Sequence, residues 1–128
     1  MSKRGAALLA VCLTALVAPA LAQSGWTGIG QAAATPEAAS VTINARGEAR
    51  QREIMFCLEG HLLRLNEAVL HYQGGATQNV RLRQRVADGG CSRMATLSGR
   101  NRILVSAHVA YDPATLEGAR TQVQIFVR

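Results

Sequence analysis

The chain has 128 residues and a formal net charge of +6, which is the size of one small domain. Hydrophobic residues make up 48% and charged residues 17%, a composition that is too apolar for intrinsic disorder. Aromatic residues make up only 4%, which argues against the stacking platforms of proteins that bind single-stranded nucleic acids.

The N-terminus has the parts of a secretory signal peptide over residues 1–22. Lys3 and Arg4 form a basic start, an uncharged run rich in Ala, Leu and Val follows, and Ala20-Leu21-Ala22 is a typical cleavage site. We therefore predict cleavage after Ala22 and a periplasmic or secreted protein. Cleavage removes Lys3 and Arg4, so the net charge falls from +6 to +4.

Two alternatives to a cleaved signal peptide are less favoured. A membrane anchor would need about 20 apolar residues, and the uncharged run is shorter than that. Lipid attachment at Cys12 would need a small residue before the cysteine, whereas Val11 is β-branched. No later apolar run approaches the spanning length, so the mature chain is predicted to have no membrane span.

Residues 23–40 are rich in Gly, Ala, Ser, Thr and Pro and contain one charge, Glu37. This composition predicts a flexible or loosely docked segment before the folded domain. Trp26 argues against complete disorder, because tryptophan is mostly buried in folded domains. We favour a buried anchor or short first strand at Trp26 over an exposed binding aromatic.

From residue 41 to residue 128 the hydrophobic residues recur with a period of two, and glycine-rich turn signals separate the runs. Such alternation is typical of half-buried strands. We therefore predict an all-β domain, an antiparallel β-sandwich of about 7–8 strands. Its predicted core consists of Ile43, Ile54, Phe56, Leu65, Val69, Val80, Leu82, Ile103, Val105, Val109, Val123 and Ile125.

Residues 61–72 are ambiguous, since their apolar positions also fit the spacing of a helix. A helix would need a further layer to cover it, and every neighbouring segment is predicted to be a strand. We therefore favour two short strands joined by a kink at Asn66-Glu67.

Two cysteines, Cys57 and Cys91, remain after the predicted cleavage. In an exported protein this single possible pair is expected to form a structural disulfide, closing a loop of about 34 residues. Chain entropy assigns such a loop about 3.5–4 kcal/mol. A redox or metal pair is the alternative, but there is no C-x-x-C motif, and His61, His71 and His108 lack ligand spacing. No metal site and no cofactor are therefore predicted.

The enzyme hypothesis is a serine mechanism. Ser92 would be the nucleophile, His71 or His108 the base, and Asp88 or Asp112 the orienting carboxylate. The sequence has no G-x-S-x-G motif, and Ser or Asp beside turn residues usually binds the backbone. A hydrolase using Ser92 is thus the less favoured alternative, and we expect the protein not to be an enzyme.

Arginine is the unusual feature of the composition. Its planar guanidinium group binds carboxylates and phosphates through two parallel hydrogen bonds. The candidate anion-binding face consists of Arg81, Arg83, Arg85, Arg93, Arg100 and Arg102. The alternative is a solvated surface that keeps the sheet soluble, in which Arg93 or Arg102 pairs internally with Glu53, Glu59 or Glu67.

Several short segments together form a recognisable pattern. They are Arg52-Glu53-Ile54, Val69-Leu70-His71-Tyr72-Gln73-Gly74-Gly75, Val80-Arg81-Leu82-Arg83, Gly90-Cys91-Ser92-Arg93, Leu97-Ser98-Gly99-Arg100-Asn101-Arg102-Ile103 and Val123-Gln124-Ile125. Over residues 26–127 the chain resembles a family of small exported bacterial β-sandwich proteins grouped as a domain of unknown function. The resemblance implies an antiparallel sandwich in the periplasm or outside the cell, and it implies no catalytic residue.

The leading hypothesis is a non-enzymatic envelope or secreted module that binds an anionic envelope component or a protein partner through its arginines. The second is a structural or assembly role, in which an exposed strand edge pairs with another chain. Nucleic acid is not expected as a partner, because aromatic residues are scarce and an exported protein works in the wrong compartment to meet DNA or RNA.

Overall fold

The computed structural model describes residues 25–100 and 102–128, so the predicted signal peptide and Cys12 lie outside the described residues. The strands are β1 Thr27–Ala34, β2 Ser40–Asn44, β3 Glu53–Glu59, β4 Leu63–Tyr72, β5 Thr77–Val86, β6 Ala95–Thr96, β7 Leu104–Asp112 and β8 Thr121–Val127. A 3-10 turn at Pro113–Leu116 joins β7 to β8. Across these residues we find no helix with the length and apolarity that a membrane crossing requires.

The strands form two antiparallel sheets of four strands each. Sheet 1 has the order β1-β8-β3-β6, and sheet 2 has the order β2-β7-β4-β5. The chain changes sheet at nearly every connection, and β4 and β5 form the one hairpin of sequence neighbours within the described chain. The predicted all-β antiparallel sandwich of seven or eight strands is confirmed.

Inward side chains of both sheets build one core. Nine of the twelve predicted core residues are buried, among them Phe56 and Ile125, which face each other on β3 and β8. Three predictions are wrong: Val69 and Ile103 are only half-buried, and Val105 is 40% exposed.

A β-bulge at Asn66 explains the error at Val69. The pairing of β4 with β7 shifts by one residue there, so Leu70 faces the core and Val69 faces outward. Because side chains alternate with a period of two, one extra residue moves all later side chains to the other face. β4 is therefore a single bulged strand, so the predicted pair of short strands is wrong, as is the helical alternative.

A second irregularity explains the error at Val105. The pairing of β7 with β4 skips this residue, which leaves it in the exposed position while Leu104 takes the buried one. Ile103 lies just before β7 and outside its alternation. The strict period of two that predicted both residues as core is thus interrupted near the start of the strand.

Within the described part of the N-terminal segment, residues 25–40, the chain forms β1 and reaches the start of β2, which corrects the prediction of a flexible or loosely docked segment over residues 23–40. β1 pairs with β8 from Thr27 to Ala34, and Trp26 is buried, as the sequence predicted. The small residues have a packing role, because a Cβ atom on Gly30 would overlap the backbone carbonyl of Asn44 in β2. The composition suggested a flexible linker. In the structure, small side chains are needed because the strands lie in close contact.

Candidate functional site

The predicted structural disulfide is present, with 2.02 Å between the sulfur atoms of Cys57 and Cys91. Cys57 lies in β3, and Cys91 lies opposite it in residues 87–98, which we call the edge segment. Next to the disulfide, the backbone N–H of Ser92 donates to the carbonyl of Phe56 at 2.7 Å. The disulfide therefore ties the edge segment to the side of sheet 1.

A small hydrophobic cluster covers the outer face of sheet 1 around this disulfide. Trp26 and Met55 are buried there beside Cys57. The guanidinium carbon of Arg128 lies 4.6 Å from the centre of the Trp26 ring. Trp26 is therefore a structural anchor, and the alternative of an exposed binding aromatic is wrong.

The hydroxyl of Ser92 is committed to the backbone. The residue is 6% exposed, and its Oγ accepts from the N–H of Phe56 at 3.0 Å and donates to the carbonyl of Arg93 at 3.1 Å. Asp88 and Asp112 each accept a backbone N–H in turns elsewhere. The arrangement that a Ser92 nucleophile requires is therefore not formed.

The proposed histidine bases lie on the outer face of sheet 2, where neither is hydrogen-bonded to Ser92. His108 is exposed, and its Nδ1 lies 2.9 Å from Oγ1 of Thr42. His71 shares that face and lies opposite Ser106 of β7. Among the residues that the structure describes, no group of three His, Cys, Asp or Glu side chains is placed to hold a metal ion.

The six predicted arginines do not share one surface. Three of them are exposed on the outer face of β5, namely Arg81, Arg83 and Arg85. The other three belong to the edge segment and the loop after it, and each has a different environment: Arg93, Arg100 and Arg102. The single face that the sequence predicted is thus divided by the fold.

Arg93 covers the free edge of β5. Its Nη2 donates to the carbonyl of Leu82 at 2.7 Å, and its backbone N–H donates to Oε1 of Gln84 at 2.9 Å. Further along the same edge, the amide of Gln78 donates to the carbonyl of Thr96 at 2.8 Å. A strand edge covered in this way is a poor template for another chain, which weakens the hypothesis of strand-edge pairing at β5.

None of the internal ion pairs that the sequence suggested for the arginines forms within the described residues. The alternative paired Arg93 or Arg102 with Glu53, Glu59 or Glu67. Glu53 instead binds Nε of Arg128 at 2.8 Å, and Glu59 accepts from a glutamine side chain. Glu67 lies opposite Arg81 on the neighbouring strand.

Arg102 packs on an aromatic ring instead. Its guanidinium carbon lies 5.5 Å from the centre of the Tyr72 ring, and its Nη1 donates to Oγ of Ser98 at 3.3 Å. Burial raises the pKa of the Tyr72 hydroxyl, and hydrogen bonding with Ser98 and the charge of Arg102 oppose that rise in part.

We expect alkaline pH to destabilise the protein through Tyr72. Its pKa in the folded chain lies above the ordinary value of 10.0, because burial disfavours the phenolate. Between these two values the unfolded chain loses a proton that the folded chain keeps, so the free energy of unfolding falls as pH rises above about 10. Urea unfolding below and above that pH should show a smaller fall for Tyr72→Phe, and an unchanged fall would contradict the assignment.

Arg100 lines a groove with two arginines that the predicted face did not include. Arg50 and Arg52 come from the loop before β3, and Thr96 and Leu97 come from the edge segment. The groove has a volume of about 730 Å³, and no carboxylate lines it. We call it the arginine groove; no local pattern in the sequence could have predicted it, because its two loops are distant in the chain.

Comparison with known proteins gives a family and a fold. The family model described as "Domain of unknown function (DUF2541)" matches residues 7–127. No curated protein matches the chain. Among solved structures, AlgX of Pseudomonas aeruginosa is 12% identical with a TM-score of 0.52 over 80% of this chain, and the chain spans 27% of its length.

A second solved structure contains the CBM22-1 and GH10 modules of the xylanase Xyn10B of Clostridium thermocellum, complexed with xylohexaose. It is 8% identical with a TM-score of 0.39, and the match covers 81% of this chain and 26% of that one. At these identities the likeness to AlgX concerns the fold alone, and the likeness to the xylanase modules supports no argument.

Proposed function

The chain belongs to the DUF2541 family, whose domain has no known function, and from that premise we propose that it is an exported, non-enzymatic module that binds an anionic component of the cell envelope. The observation that carries the proposal is a row of exposed guanidinium groups on the outer face of sheet 2. We call it the β5 face, and it consists of Arg64, Arg81, Arg83 and Arg85.

Two features support export. The first 22 residues have the composition and cleavage site of a signal peptide. The disulfide between Cys57 and Cys91 is of a kind that persists in oxidising compartments and is rare in the cytosol. These features support our proposal that the protein acts in the periplasm or outside the cell.

The charge of the β5 face favours an anionic partner. Glu67 lies opposite Arg81, and Asp112 lies opposite Arg64, so two carboxylates accompany the four arginines. None of the four arginines is in an ion pair within the described chain. Their guanidinium groups are therefore open to an external carboxylate or phosphate.

The backbone at Arg83 also supports a binding role for this face. Arg83 has a φ of +43°, a left-handed conformation that costs a non-glycine residue about 1 kcal/mol. It lies where the pairing of β5 with β4 shifts by one residue. Bulges of this kind re-aim side chains and are frequent beside functional sites.

Replacing the three β5 arginines tests the proposal. The variant Arg81→Gln/Arg83→Gln/Arg85→Gln should bind phosphatidylglycerol vesicles and isolated cell envelopes at least about tenfold more weakly in a sedimentation assay. The expected size follows from about 1 kcal/mol for each arginine near an anionic surface. Binding of the wild-type protein should also weaken between low and physiological ionic strength, because salt screens exposed charges.

The matched control removes the same charge elsewhere, by Arg50→Gln/Arg52→Gln/Arg100→Gln. This control should keep its binding to phosphatidylglycerol vesicles. An equal loss in both variants would mean that net charge rather than the β5 face determines binding, and no loss in the β5 variant would refute the proposed function.

A further inference from the structure

The arginine groove lies apart from the β5 face. Gln78 of β5 contacts Thr96 at the groove, and the arginines of β5 lie three to seven residues further along the strand, about 10 to 23 Å away at 3.3 Å per residue. The two groups of arginines therefore need not bind the same flat anionic surface. The groove needs an explanation of its own, which goes beyond the proposed function.

Backbone bonds hold one wall and the floor of the groove in place. The N–H of Arg52 donates to the carbonyl of Arg128 at 2.8 Å, and the carbonyl of Arg52 accepts from the N–H of Leu97 at 2.7 Å. Leu97 is 7% exposed and packs into the main core. The Arg52 side chain therefore starts from a fixed point, and less ordering is needed when a ligand binds.

The residues after Leu97 form a tight turn at the groove. Gly99 has a φ of +80°, which is unfavourable for other residues, and a Cβ atom there would meet the side chain of Arg102. Arg102 in turn lies over the Tyr72 ring. This turn brings Arg100 into the lining of the groove that Arg50 and Arg52 also line.

The number of guanidinium groups discriminates between anions. A carboxylate has two oxygens and one negative charge, so one arginine can neutralise it and bond both oxygens through two parallel hydrogen bonds. A phosphate monoester carries close to two negative charges at pH 7 and three free oxygens, which can accept from several guanidinium groups at once. Three arginines with no carboxylate among the lining residues match the second ligand better.

We propose that the arginine groove is a binding site for the phosphate monoester group of a polar molecule. The volume of about 730 Å³ exceeds what a bare phosphate needs and lies within the usual range for small-ligand sites. The phosphate contacts the three guanidinium groups, and the attached sugar or glycerol lies against Thr96 and Leu97. The phosphate can be carried by a soluble ester or by a lipid headgroup.

Binding measurements with two probes test the site. We expect the protein to bind glucose 6-phosphate in calorimetry, phosphatidic acid vesicles in sedimentation, or both. Vesicle binding is measured in the Arg81→Gln/Arg83→Gln/Arg85→Gln background, because the β5 face would itself hold the protein on anionic vesicles. Arg50→Gln/Arg52→Gln/Arg100→Gln should weaken that binding at least about tenfold, since it removes charge-assisted hydrogen bonds to the phosphate. The single variant Arg100→Gln, at an exposed side chain, repeats the test should the triple variant fail to fold.

Two controls separate this site from the β5 face. Arg81→Gln/Arg83→Gln/Arg85→Gln removes the same charge and should leave glucose 6-phosphate binding unchanged, and galacturonate, which carries a carboxylate, should bind the wild-type protein at least about tenfold more weakly. Binding of neither phosphate probe, equal binding of galacturonate, or full retention by the groove variants would each overturn the inference. If the β5 variant alone loses phosphatidylglycerol binding and no phosphate probe depends on the groove arginines, the proposed function stands and the inference about the groove fails.

Discussion

Removing the disulfide by Cys57→Ala together with Cys91→Ala should lower the free energy of unfolding by about 3.5–4 kcal/mol. The two cysteines are 34 residues apart in the chain, and the bond removes the loop-closure entropy of that loop from the unfolded state. Since small domains have about 5–15 kcal/mol in total, this change is a large fraction of the stability. Urea unfolding of the double variant measures it directly.

The location of the disulfide predicts where the structure loosens first. Cys57 is packed with Trp26 and Met55, and the bond holds the edge segment on β3. Reduction should therefore shift Trp26 fluorescence towards that of an exposed tryptophan and speed amide exchange in residues 87–98. Reduced wild-type protein is the control for side-chain truncation, and equal stability of its oxidised and reduced forms would contradict the prediction.

Adding one methyl group by Gly30→Ala should cost about 3 kcal/mol, the upper end of the usual range for overpacking. The Cβ atom would overlap the backbone carbonyl of Asn44. Because the position of a Cβ atom is fixed by its own backbone, no side-chain rotation can relieve this contact. β1 would have to move away from β2, which also strains its pairing with β8. Thermal unfolding should show a midpoint lowered by more than about 10 °C.

The neighbouring variant Gln31→Ala is the matched control, because Gln31 is exposed on the same strand and should change stability by less than about 0.5 kcal/mol. Gly30→Ala also tests whether β1 is held tightly against the rest of the domain. If residues 23–40 were loosely docked, the added methyl group would meet nothing, and both variants would unfold at the same temperature as the wild-type protein.

Local patterns predicted the fold class and most of the core. The alternation in β5 and β8 placed Val80, Leu82, Val123 and Ile125 inside, and all four are buried. Alternation failed where one extra residue interrupted the pairing, as at Val69. A bulge depends on both strands of a pair, so the sequence of one strand does not reveal it.

Composition misled the prediction for residues 23–40, because small residues are typical both of linkers and of strands in close backbone contact. The arginines show a similar limit. Alternation correctly placed Arg81, Arg83 and Arg85 on one outer face, yet it grouped them with Arg100, which lies in the arginine groove. The partners of Arg100 in that groove, Arg50 and Arg52, come from the connection between β2 and β3, far away in the chain.

The sequence by itself determined that the chain forms alternating strands, because the hydrophobic period is a property of the chain that needs no knowledge of contacts. It offered Cys57 and Cys91 as a possible pair, and the structure joins them. Only the tertiary structure decided which strands share a sheet, where Asn66 shifts the register, and that Arg50, Arg52 and Arg100 meet. Each of these depends on contacts between residues distant in the chain, whose geometry is set by the packing of the two sheets on one core.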